Sequence, residues 1–146
     1  MAWIEALQGQ IVALDTAPLI YFIEDHPKYA DAVGPFFNSL ASGDFQAITS
    51  VITLLEVLVH PLRNNNPTLA AQYREILLHT DGLSIDSLDQ DIAEEAARLR
   101  AIHGIRTPDA IQLATATKGS ASFILTNDSN LPAISGMQVL VLDQLL

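Results

Sequence analysis

The chain has 146 residues, with 17 acidic against 7 basic side chains, a formal net charge of −10, 49% hydrophobic residues and no cysteine. That size makes one domain with a substantial core. The charge excludes attraction of nucleic acid by the overall field, so a polyanion must be held by a local basic patch or through bound cations.

Absence of cysteine excludes a disulfide framework and fits a reducing cytoplasm. Met1 to Gln10 carries Glu5 and no basic start, so it does not read as a secretory signal. The longest apolar stretch, Val51 to Val59, is broken by Thr53 and Glu56 and is too short to span a bilayer. The expectation is a soluble, cytoplasmic protein without a membrane segment.

Ala2 to Leu7 reads as a helical turn that Gly9 closes. Ile11-Val12-Ala13-Leu14 is a continuous apolar run, the pattern of a strand buried on both faces, and it leads straight into Asp15. Thr16, as cap, and Pro18 open a short helix to Glu24, interrupted around His26-Pro27. Tyr29 to Leu40 places Ala30, Val33, Phe36, Phe37 and Leu40 at helical spacing, across Gly34-Pro35, and Gly43 ends it. Phe45 to Ile48 is a second strand.

Thr49-Ser50 starts a helix from Val51 to His60 that is apolar on nearly every face, which predicts burial on all sides. Pro61 and Asn64-Asn65-Asn66-Pro67 read as a loop. Thr68 to His79 is a helix with Leu69, Tyr73, Ile76 and Leu77 on one stripe. After the Asp81-Gly82 turn, Leu83 to Ile85 is the third strand. Asp89 to His103 is amphipathic, with Ile92, Ala96, Leu99 and Ile102 on its apolar face and Gly104 as its stop. Thr107-Pro108 opens a helix to Thr117. Phe123 to Thr126 is the fourth strand and, after the polar turn at Asn127 to Asn130, Val139 to Leu142 is the fifth. Strands alternating with helices imply right-handed crossovers and a parallel sheet covered on both faces, an α/β fold.

Four carboxylates stand in informative places. Asp15 follows the first strand, at the sheet edge where open α/β folds bind ligands. Glu56 lies among Val51, Ile52, Leu54, Leu55, Val57, Leu58 and Val59. A carboxylate buried in such a helix must be paired, protonated or metal-bound; the simpler reading leaves one strip of the helix in solvent. Thr53 lies one turn before Glu56 on the same face. Asp109 follows Thr107-Pro108, which a helix start with Thr as cap already explains. Asp128 repeats the pattern of Asp15 after Phe123-Ile124-Leu125-Thr126-Asn127, and a turn aspartate is its simpler explanation. Converging carboxylates raise one another's pKa unless a cation sits between them. Hard oxygen ligands with no His or Cys partner favour Mg²⁺ or Mn²⁺, and such a site suits phosphoryl chemistry.

The segments Leu14-Asp15-Thr16, Thr49-Ser50 through Glu56, Thr107-Pro108-Asp109-Ala110 and Thr126-Asn127-Asp128 together resemble the signature of PIN-domain ribonucleases. The likeness is to the VapC-type toxins of bacterial toxin–antitoxin pairs and covers the chain from Gln10 onward. It implies a flavodoxin-like three-layer α/β/α sandwich over residues 1–146, with a mostly parallel five-stranded sheet. It also implies Mg²⁺ or Mn²⁺, hydrolysis of RNA phosphodiesters, a cognate antitoxin and a homodimer. By position it makes Asp15, Glu56, Asp109 and Asp128 the catalytic, metal-holding quartet, with Thr16 and Thr126 in support. Many relatives carry a further acid where this chain has Asn130, so a second ion is not part of the expectation.

Arg98, Arg100, Arg106 and Lys118 are the one local basic cluster. Arg106 and Lys118 flank the Asp109 helix, in reach of a phosphate, while Arg98 reads as surface charge paired with Glu94 or Glu95. His26, His60, His79 and His103 fall near helix ends, where a positive charge is welcome. Trp3, Tyr21, Phe22, Phe36 and Phe37 read as core or dimer contacts, and Tyr73, Ile76, Leu77 and Leu78 as a dimer surface. Two other classes fit the same layout: a non-catalytic module that keeps an acidic pocket, and a receiver-type phosphoacceptor. The latter wants paired acids after the first strand and a late lysine, whereas Asp15 has no acidic neighbour before Glu24 and Thr126 is followed by Asn127. A phosphatase using an Asp-x-Asp nucleophile lacks its second acid in Asp15-Thr16-Ala17.

Overall fold

A computed structural model describes residues Met1–Leu146. Its strands are β1 Ile11–Leu14, β2 Gln46–Ser50, β3 Leu83–Asp86, β4 Phe123–Thr126 and β5 Gln138–Val141. Its helices are α1 Ala2–Glu5, α2 Thr16–Ile23, α3 Ala30–Ala41, α4 Val51–Arg63, α5 Pro67–His79, α6 Gln90–His103, α7 Thr107–Lys118 and α8 Leu142–Leu145.

All four strand pairs are parallel, in the order β3-β2-β1-β4-β5. The connections from β1 to β2 and from β2 to β3 step in one direction. Right-handed crossovers therefore put α2 to α5 on one face. The connection to β4 jumps back past β2 and β1, so α6 and α7 fall on the other face. The two cores follow this division. Val12 and Leu14 of β1 join Leu19, Phe36, Val57, Tyr73 and Leu77 on one side of the sheet. Ala13, between them in sequence, joins Ile92, Leu99, Ala110 and Ala114 on the other. The strand thus alternates between two buried layers, which is why it is apolar throughout. The fold is the expected three-layer sandwich.

Seven consecutive residues of α7, Ala110 to Ala116, are buried. Alanines at 110, 114 and 116 let the helix lie close on β1 and β2. At the end of α6, Gly104 takes a left-handed φ of 66° and its N–H caps the carbonyl of Arg100 at 2.8 Å.

Several elements differ from the sequence reading. α4 runs through Pro61 to Arg63. The proline lies in the last turn, where it breaks few internal hydrogen bonds, and it is buried. α3 likewise continues through Pro35, held by Phe36, Phe37 and Leu40 in the core. α4 is not buried on all sides: Val51, Leu55, Val59 and Leu62 form an exposed stripe, and only Thr53, Val57 and Pro61 are fully buried. An all-apolar sequence cannot say which side of a helix the fold leaves uncovered. Tyr73 and Leu77 are core residues, not a dimer surface, although Leu78 is exposed. The Tyr73 hydroxyl donates to Glu24 and ties α5 to the end of α2. Leu142, expected in the last strand, opens α8.

Candidate active site

The sheet order reverses between β1 and β4, and the crevice outside the carboxyl ends of those two strands is the natural ligand site of such a sheet. Asp15 stands at this point. Its N–H still follows the ladder, donating to Leu125 O at 3.0 Å, and its extended backbone then turns into α2. The helix cap is Asp15 itself, not Thr16: Oδ1 accepts from the Thr16 N–H at 2.8 Å. Oδ2 accepts from the Thr126 hydroxyl at 2.7 Å. Burial pushes the Asp15 carboxyl above its ordinary value of 3.8. The hydrogen bonds from Thr126 and Thr16 oppose the rise, and the charges of Asp109 and Glu56 add to it.

Thr126 connects two acids. Its hydroxyl oxygen also accepts the Asp128 N–H at 3.0 Å, and Asp128 in turn accepts the Asn130 N–H at 2.9 Å, closing a turn. Asn130 thus serves the turn backbone. Glu56 is exposed, contrary to the expectation of a buried carboxylate. It stands at the cavity rim on the less-covered side of α4, where Thr16 donates its hydroxyl to Oε1 at 2.8 Å. The helix that carries Glu56 is capped by Ser50, whose Oγ accepts the Ile52 N–H at 3.1 Å. Asp109 lies in the first turn of α7. Thr107 does not cap that helix: Arg106 is the cap residue, with no side-chain cap bond, and its guanidinium pairs with Asp109 at 3.5 Å.

Asp15, Thr16, Glu56, Asp109, Thr126 and Asp128 all line one cavity of about 400 Å³. Arg106 is the basic side chain on its wall. Lys118 is engaged elsewhere, with Asp91 at 3.6 Å, and Arg98 pairs with Glu95 as the sequence suggested. Tyr21 and Asn127 also line the cavity, and sequence reasoning assigned neither to it. Asn127 donates to the Tyr21 hydroxyl at 3.2 Å and accepts the Asp143 N–H at 3.0 Å, bridging α2 and α8 behind Asp128. Tyr21 stacks on Tyr29 at 4.4 Å between ring centroids. A larger groove of about 860 Å³ runs between α2 and α5, but Glu75 is its lone charged residue.

The donor set of the cavity is carboxylate and hydroxyl oxygen, the chemistry that suits Mg²⁺ or Mn²⁺. As placed, no three carboxylates close round a single point. Glu56 is turned to Thr16 and Asp109 to Arg106, so both are held by partners that a cation would replace.

A doubly wound parallel sheet with an acid-lined crevice at its switch point defines the class of protein. More particularly, the chain belongs to the PIN domain family, whose sequence model matches residues 12–137. Among solved structures, a toxin–antitoxin complex from Klebsiella pneumoniae is similar at 26% identity and a TM-score of 0.65, over 89% of this chain and 96% of that one. VapBC2 from Rickettsia felis, bound to a promoter DNA fragment, is similar in fold at 20% identity and a TM-score of 0.70, over 90% and 98% of the two chains. VapC20 from Mycobacterium tuberculosis, described as a sarcin–ricin loop cleaving toxin, is similar in fold at 17% identity and 0.63, over 77% and 86%. No curated protein sequence matches the chain.

Proposed function

We propose that this chain is a metal-dependent endoribonuclease acting as the toxin of a type II toxin–antitoxin pair. The observation that carries the reading is the cavity itself. Four carboxylates from four separate elements face it, with Arg106 as their one basic neighbour. So much negative charge at one place suits a divalent cation. Membership of the PIN domain family and likeness to toxin–antitoxin structures support the biological half of the reading.

In this reading Asp15, Glu56, Asp109 and Asp128 would hold Mg²⁺ or Mn²⁺. The ion, when bound, supplies charge neutralisation at the phosphate and a more acidic water. Asp15, fixed at both oxygens by Thr16 and Thr126, orients the site. Glu56, exposed at the rim with Oε1 accepting from Thr16, would take a proton from the attacking water at Oε2. Arg106 binds a phosphate oxygen of the strand in place of Asp109. Tyr21 forms part of the wall. The net charge of −10 keeps nonspecific RNA away, so that only a strand placed in the crevice is cut.

The partners in this reading are RNA, a cognate antitoxin and a second copy of the chain, all in the cytoplasm. The exposed stripe Val51, Leu55, Val59 and Leu62 supports a protein contact on α4. No helix is long and apolar enough to cross a membrane. The test is cleavage of total RNA by the purified chain with Mg²⁺ or Mn²⁺. Cleavage should stop with EDTA and with Asp15→Asn; undiminished cleavage in EDTA refutes the metal mechanism.

A further inference from the structure

Behind the carboxylates lies a chain of polar side chains that the site does not use directly. Gln112 Nε2 donates to Thr53 Oγ1 at 2.7 Å, Thr53 and Thr49 share a hydrogen bond at 2.8 Å, and Thr49 Oγ1 donates to the carbonyl of Leu14 at 2.7 Å. Gln112 is 3% exposed, Thr49 1% and Thr53 0%. Each hydroxyl has one proton, which fixes the direction. Thr49 spends its proton on Leu14, so it accepts from Thr53, and Thr53 accepts from Gln112. The relay therefore runs one way, from α7 through α4 and the end of β2 to the end of β1.

Three of its four members, Leu14, Thr53 and Gln112, stand close in sequence to a site acid. Leu14 immediately precedes Asp15. Thr53 sits one turn before Glu56 on α4, and Gln112 one turn after Asp109 on α7. Thr53 also lies 3.4 Å from the hydroxyl of Thr16, the residue that holds Glu56. Buried amides and hydroxyls are costly unless all are satisfied, and no buried side-chain polar atom here lacks a partner. Apolar residues of similar shape would fill the same space without that requirement. What they would not supply is fixed distance and direction between α7, α4, β2 and β1.

We propose that Gln112, Thr53 and Thr49 are positioning residues: a one-way hydrogen-bond relay that sets the spacing of Asp15, Glu56 and Asp109 so that these carboxylates meet one divalent cation. The inference rests on the metal-site reading given above. Cations of this kind demand close ligand geometry, and hydrogen-bond partners one layer behind the ligands govern it.

The test compares wild type with Thr53→Val, which keeps the shape and removes the hydroxyl, and Thr53→Ser, which restores the hydroxyl. Calorimetry with Mn²⁺ alone is run on the full chain well below each melting temperature. NMR relaxation follows the backbone amides of Glu56 and Asp109 in the metal-free protein. Thr53→Val should weaken Mn²⁺ binding by about tenfold or more, and Thr53→Ser should return it to within about twofold of wild type. Thr53→Val should also broaden the Glu56 and Asp109 amides while leaving those of β1 and β4 sharp. A folded Thr53→Val that binds Mn²⁺ like wild type overturns the relay. If Thr53→Val does not fold, Gln112→Leu, which leaves Thr53 bonded to Thr49, carries the same comparison. A wild type whose Mn²⁺ binding is indifferent to Asp15→Asn refutes the metal site instead; the metal-free amides then decide the relay, unchanged amides overturning it.

Discussion

Thr126 and Asp15 end neighbouring parallel strands, and the hydroxyl of the first donates to Oδ2 of the second at 2.7 Å. The threonine is fully buried, so the bond is made out of water. Because the same oxygen accepts the Asp128 amide, one side chain holds two acids in register. Thr126→Val removes donor and acceptor at unchanged shape and should cost about 1–3 kcal/mol. Thr126→Ser should cost much less. Urea denaturation of the three proteins checks this, and a Val variant as stable as wild type would show that the bond is inconsequential.

The raised carboxyl of Asp15 gives a pH dependence with a definite sign. Without metal, the folded chain keeps the Asp15 proton to a higher pH than the unfolded chain does, because its pKa lies above the ordinary 3.8. Within that window the native state binds more protons, so its stability falls as pH rises. The destabilising contribution is absent below the unfolded pKa and complete above the raised one. Asp15→Asn should abolish this component and, in EDTA, gain on wild type as pH climbs from 4 to 8. A stability difference constant across that range would contradict the assignment.

Glu56 separates chemistry from stability. It is exposed, so Glu56→Gln should change the metal-free stability by no more than about 0.5 kcal/mol. The Thr16 hydroxyl can donate equally to the amide oxygen. RNA cleavage should nonetheless fall by about a hundredfold or more. Mn²⁺ should raise the melting temperature of the variant less than that of wild type. Glu94→Gln, on the exposed side of α6, should alter neither property. Full activity in Glu56→Gln would place Glu56 outside the machinery.

Arg106 should act on substrate rather than on the fold. Its side chain is 80% exposed, and its one ion-pair partner is Asp109. Arg106→Gln should raise KM for RNA severalfold with a smaller change in kcat. It should lower the slope of log binding against log salt by about 1, the signature of one lost phosphate contact. An unchanged salt slope would show that Arg106 only neutralises Asp109.

The parts of the fold and site that were legible in the sequence are those written in consecutive residues. The run Ile11 to Leu14 ending at Asp15, and its echo from Phe123 to Asp128, place two acids at strand ends before any distance is measured. Gly104 marks the end of α6 through its left-handed φ. What was not legible depends on partners far apart in the chain. Gln112 and Thr53 are 59 positions apart. Asn127 reads as a turn residue until Tyr21 and the Asp143 amide are seen at its two ends. The exposure of Glu56 was hidden for another reason: α4 is apolar all round, so no periodicity separates its covered from its open side. Thr16 and Thr107 read as caps by residue type, whereas the chain turns one residue earlier at both helices.

Asp109 reaches the crevice from the opposite layer to Glu56, and its height above the sheet is set by what lies beneath α7. There the spacers are alanines, with Ala110 and Ala114 at 0% exposure over β1 and β2. These methyl groups act as a shim. Ala114→Leu would thicken it, and a close-packed interior answers by moving the helix or forcing a strained rotamer. A substitution that adds no polar atom, and lies a turn or more from any carboxylate, would then register as a displaced Asp109. The mechanical tolerance of an acidic centre can in this way be governed by the least polar contact in the molecule.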